Sequence, residues 1–112
     1  MKQNQEITFT LDKAKFFEAG RILQRNWRVA DLGPVSFSVR QGKLAIISKR
    51  GGTEIACEGT GEIQAELTAS QFRKLIIAGR HEKSPTGTMK LVFRPEFGEV
   101  ATDLAGAKAL FP

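Results

Sequence analysis

Through most of this chain, apolar and polar residues alternate with period two, and a longer period interrupts the alternation twice. Ile7, Phe9 and Leu11 oppose Thr8 and Thr10, and Val35, Phe37 and Val39 oppose Ser36, Ser38 and Arg40. Met89, Leu91 and Phe93 oppose Lys90, Val92 and Arg94 in the same way. Such runs predict half-exposed antiparallel strands with one apolar and one wet face. Gln41 and Gly42 give a tight-turn signal leading into "KLAIIS", and Gly51 with Gly52 gives another leading into "TEIACE". The "PEFG" at 95–98 predicts a third turn into "EVATD", and a last short strand is expected over "AKALF".

The two interruptions have helical spacing. Across residues 12–28, at about 100° per residue, Phe16, Gly20, Leu23 and Trp27 fall on one side. Lys13, Glu18, Arg21, Gln24, Arg25 and Arg28 fall on the other, and Phe17 sits among these polar residues with no role that the period supplies. Across 69–80, Phe72, Leu75, Ile76 and Gly79 form the apolar stripe, with Arg73, Lys74 and Arg80 away from it. Asp12 is a good N-cap for the first helix, and Leu11 with Phe16 can staple across it. Thr68 and Gln71 predict a capping box for the second. A glycine in each stripe costs about 1 kcal/mol of helix propensity, which implies a close approach of helix backbone to a sheet.

The halves of the chain repeat one another. Ile7, Leu11, Asp12 and Phe16 align with Ile63, Leu67, Thr68 and Phe72 at a constant offset of 56, each pair matched in role. Phe37, Val39 and Arg40 align with Leu91, Phe93 and Arg94 at an offset of 54. A strand–helix–strand–strand unit therefore occurs twice, and two copies would set two helices side by side on one face of a shared antiparallel sheet. The fold class expected is α+β, as one domain over 1–112.

Charge sharpens this picture. The chain of 112 residues carries a net +5. Residues 12–28 hold five cations against two acids and 68–83 hold four against one, so the rest of the chain is close to neutral. The basic character belongs to the helices, and an acidic partner is implied. No apolar run approaches the length of about 18 residues that a membrane span needs. The opening "MKQNQE" has no apolar segment behind Lys2, which predicts no signal peptide. A single cysteine, Cys57, excludes an internal disulfide and fits a reducing, cytoplasmic setting.

Little catalytic chemistry is on offer. His81 is the only histidine and has no neighbouring nucleophile, so neither a zinc site nor a general base is expected there. Cys57 alternates in phase with Ile55 and reads as a small core residue. Glu54 and Glu58 fall on the wet face of their strand as solubilising charges, not as metal ligands. "GTGE" at 59–62 is short, acidic and opens no helix, which disfavours a phosphate cradle. A non-enzyme without metal or cofactor is expected.

The segment 35–76, "VSFSVRQGKLAIISKRGGTEIACEGTGEIQAELTASQFRKLI", resembles the DNA sliding-clamp family, the polymerase processivity factors. It is similar to the clamp pattern of a hairpin, an outer strand and a short strand entering a helix, here "AELTASQFRKLI". The order strand, helix, three strands, taken twice over nearly the whole chain, is that of one clamp domain. The resemblance implies basic helices facing duplex DNA, with Lys13, Arg21, Arg25 and Arg28 from the first helix as the DNA-facing set. Arg73, Lys74, Arg80 and Lys83 would come from the second. Contacts would be to phosphates and without sequence preference. Familiar clamps close a ring of six domains from chains of two or three; with one domain per chain a closed ring would need six identical copies joined head to tail through edge strands, a homo-oligomer, and the alternative is a monomeric or dimeric domain with another task. A polymerase or other DNA-processing protein is the implied client. The alternative is a clamp-fold interaction or structural module with no direct DNA role, working through its exposed edges.

Overall fold

The computed structural model describes residues 6–24, 33–49, 51–79 and 87–112. Its elements run β1 (Ile7–Asp12), α1 (Lys13–Gln24), β2 (Val35–Arg40), β3 (Lys43–Ser48), β4 (Gly51–Glu58) and β5 (Ile63–Leu67). There follow α2 (Ala69–Ala78), β6 (Thr88–Arg94), β7 (Glu99–Thr102) and β8 (Gly106–Lys108). The eight strands form one antiparallel sheet in the order β5-β2-β3-β4-β1-β6-β7-β8. A bridge from Glu66 of β5 to Leu110, just past β8, brings the two ends together, so the sheet is nearly closed.

The alternation of residues accounts for the strands. Val35, Phe37 and Val39 are buried while Arg40 is exposed, and Met89, Leu91 and Phe93 are buried while Lys90 is exposed. Gln41 and Gly42 both have positive φ, 51° and 76°, as a two-residue hairpin turn requires. Gly98 closes the short 3-10 turn Pro95–Phe97 in the left-handed conformation. One expected turn moves: Gly51 and Gly52 are the first residues of β4, with Ser48 paired to Gly51, so the connection lies before them. The last strand is shorter than "AKALF", because after Lys108 the chain leaves β7 and reaches β5 through Leu110.

The register carries the repeat in detail. Phe9 faces Leu91 across β1 and β6, and Ala65 faces Phe37 across β5 and β2. Adding 56 to Phe9 and subtracting 54 from Leu91 turns one pair into the other, as it does for Leu11–Met89 and Leu67–Val35. The closures repeat too. Thr10 pairs with Glu58 in the first half, and Glu66 with Leu110 in the second. The Cys57 N–H donates to the Gly42 carbonyl at 2.9 Å, and the Ala109 N–H to the Gly98 carbonyl at 2.8 Å. The observed unit is a strand, a helix and three strands, one strand longer than residue alignment alone gives.

Each helix lies over the equivalent strands, α1 against β1 and β4, α2 against β5 and β8. Phe37 of β2 sits between them, 6.4 Å from Phe16 and 5.9 Å from Phe72 in edge-to-face geometry. All three rings are fully buried. Each buries area worth about 1.5–3 kcal/mol, and aromatic pairs add about 0.5–1.5 kcal/mol more. Cys57 is buried in the same core, which raises its thiol pKa.

Candidate nucleic-acid interface

The two helices start where their caps place them. The Lys15 N–H donates to the Asp12 carboxylate at 3.0 Å, and the Gln71 N–H to the Thr68 hydroxyl at 3.2 Å. Leu11 with Phe16, and Leu67 with Phe72, are buried around these caps. Only half of the expected capping box forms. The Gln71 side chain accepts from the Lys108 N–H at 2.9 Å, across to β8, and not from the Thr68 N–H.

The helices then pack antiparallel on each other. A methyl built on Gly20 would lie 2.6 Å from Ile76 Cγ1, and one built on Gly79 would lie 2.7 Å from Phe17 Cδ1. The stripe glycines therefore admit the other helix, which corrects the expectation of a close approach to the sheet. Phe17 finds its role here. Its exposure is 6%, and its ring stands edge-on to Phe16 at 5.4 Å and against Gly79. A 3.6-residue period takes the sheet as the only thing to bury against; Phe17 lies on the flank that meets the neighbouring helix.

The outward arcs of the pair carry the charge. Arg21 on α1 and Arg73 and Lys74 on α2 are exposed, and Lys13 is half-buried in the first turn of α1. The Gly20–Ile76 contact sets the C-terminal half of α1 beside the middle and last turn of α2. Among the described residues none of Arg21, Arg73 and Lys74 makes an ion pair within 4.0 Å, although Glu18 shares the arc of Arg21. Arg25, Arg28, Arg80 and Lys83, together with Trp27 and His81, lie outside the described residues.

The opposite face of the sheet is organised differently. Arg94 is held by Glu6 at 2.8 Å and Glu99 at 2.7 Å, and these hydrogen bonds, Glu6 first, raise its pKa further above its ordinary value. Its repeat partner Arg40 faces Lys43 instead, beside an open cleft of about 330 Å³ lined by Ser38, Gln41 and Glu54. A second groove of about 240 Å³ runs between Ser36, Gln64, Glu66 and the final residues Leu110 and Phe111. Leu110 is 72% exposed at its rim. Neither feature was visible in the periodicity, because each depends on which strands become neighbours.

Among the described residues, no group of three or more His, Cys, Asp or Glu could hold a metal ion. Among the same residues, no helix is long and apolar enough to cross a membrane. In comparisons with known proteins, no family model, no curated protein and no solved structure matches this chain.

Proposed function

We propose that this chain is a non-catalytic, sliding-clamp-like protein that holds duplex DNA against its helix pair without reading sequence, and tethers a DNA-processing partner to it. The observation that supports this best is the antiparallel α1–α2 pair presenting Arg21, Arg73 and Lys74 on exposed arcs without carboxylate partners among the described residues. Exposed cations on long stems suit phosphates along a duplex. Diffuse contacts of this kind also permit sliding, which bidentate base contacts oppose. The repeated unit supports the clamp reading independently, through the register that maps one half onto the other.

Self-assembly through edge strands belongs to the same proposal. Among the described residues β1 pairs with β4 only through Thr10 and Leu11, so Gly51–Ala56 has a described strand on one side alone. Among the described residues β8 has no strand beyond β7 in the equivalent place. A ring of six copies would weigh six times the 12.3 kDa chain. The open β4 edge also favours the second reading, an interaction module that adds a partner strand and ignores DNA.

Fluorescence anisotropy with two unrelated duplexes of equal length separates the two. The clamp reading predicts equal affinities and loss of binding in Arg21→Glu, Arg73→Glu and Lys74→Glu, with an unchanged circular dichroism spectrum. Binding that persists in these variants, or a wild-type chain that ignores both duplexes, defeats the DNA reading.

A further inference from the structure

The two free edges are equivalent by the repeat but differ chemically. The Cys57 and Ala109 N–H groups point into their own hairpins. Backbone direction alternates along a strand, so Gly52, Glu54 and Ala56 of β4, and Gly106 and Lys108 of β8, aim theirs at the free edge. Among the described residues nothing bonds the outward groups of β4. On β8 the Lys108 N–H is taken by the Gln71 side-chain oxygen at 2.9 Å. The repeat partner of Gln71 is Lys15, which carries no acceptor, and that of Lys108 is Ala56. One edge is open over six residues, and the other is three residues long and closed by its own helix. Capping of this sort is a known way to keep an edge from pairing.

We propose that Gln71 is a latch on self-assembly, releasing the Lys108 N–H so that β8 of one copy can pair antiparallel with β4 of another. The inference rests on the edge-strand assembly in the proposed function and adds its register and its control. Matching outward residues sets Glu54 opposite Lys108 of the second copy and Ala56 opposite Gly106, two pairs that the repeat interconverts. Glu54 and Lys108 are both exposed and of opposite sign, which favours the pairing. A β4–β4 pairing would instead gather the exposed Glu54 and Glu58 of two copies on one face. In the proposed register the Lys108 N–H donates to the Glu54 carbonyl of the other copy, so the latch and the partner compete for one hydrogen.

Sedimentation velocity on the full chain without DNA tests this. One net hydrogen bond corresponds to roughly a 3- to 10-fold change in a dissociation constant. Gln71→Ala is therefore expected to tighten self-association about 3- to 10-fold per junction, while Gln71→Glu, which keeps an acceptor there, does not tighten it. Ala56→Pro removes an outward N–H at an edge where proline is tolerated, and abolishes association in either background. Glu54→Lys weakens association and Glu54→Lys with Lys108→Glu restores it, a pair of variants that leaves the backbone untouched. Equal or weaker association in Gln71→Ala, monomers in both it and the wild type at the highest concentration, or no rescue by the charge swap overturns the proposal. The Arg21, Arg73 and Lys74 variants associate normally, so failure of the DNA reading and failure of the latch are seen separately.

Discussion

Gly20→Ala tests the helix–helix contact that sets the two basic arcs side by side. In an exposed helix this change stabilises by about 1 kcal/mol through propensity. Here the new methyl would stand 2.6 Å from Ile76 Cγ1 and 3.0 Å from Cγ2, with Cδ1 closer still. Ile76 is branched at Cβ and buried, so it has little room to turn aside. Overpacking of this kind costs about 1–3 kcal/mol, which leaves Gly20→Ala destabilising by about 1 kcal/mol net. Ile76→Ala removes every atom the methyl would strike. Alone it costs about 2–4 kcal/mol, and in that background Gly20→Ala recovers its propensity gain and stabilises by about 1 kcal/mol. The coupling energy is therefore about 2 kcal/mol, measured from urea unfolding of the four chains followed by circular dichroism. A Gly20→Ala effect of the same sign and size in both backgrounds refutes the antiparallel contact.

Four further outcomes follow from the structure. Phe17→Ala is expected to cost about 3 kcal/mol in urea unfolding, where a residue on the polar arc would cost under about 0.5 kcal/mol. Cys57 reacts with iodoacetamide far more slowly in the folded chain than in urea, because burial disfavours its thiolate. The raised folded pKa also gives a pH signature. Its contribution to stability is whole below the unfolded thiol's value near 9.0 and is lost as pH rises through the folded value, so stability declines less steeply in alkali for Cys57→Ala than for the wild type. Light scattering without DNA reads a mass that rises with concentration if edges mate, and stays at 12.3 kDa if they do not.

Period-two and period-3.6 patterns gave the strands, both helices and their N-caps, because those features depend on residues a few positions apart. The internal repeat was legible for a similar reason: Ile7 and Ile63, or Phe37 and Leu91, occupy equivalent positions, and the register pairs Ile7 with Phe93 as it pairs Ile63 with Val39. What stayed hidden depended on long-range neighbours. Phe17 has no role that one helix on a sheet supplies, and Gly20 and Gly79, which the period sets towards the sheet, each admit a side chain of the other helix. Gln71 fits the capping-box motif, and only the arrival of β8, 37 residues later, draws its amide away. Of the residues that the clamp resemblance sets towards DNA, Arg21, Arg73 and Lys74 are exposed on neighbouring helices, Lys13 is half-buried, and Arg25, Arg28, Arg80 and Lys83 lie outside the described residues.

The salt dependence of duplex binding tests the joint action of the two helices most directly. Each phosphate contact contributes about 0.9 to the slope of log affinity against log salt. Arg21→Ala, Arg73→Ala and Lys74→Ala together should lower that slope by about 2.7, equally for unrelated duplexes and with the fold intact. A triple variant whose slope matches the wild type's would show that these side chains do not meet the phosphates.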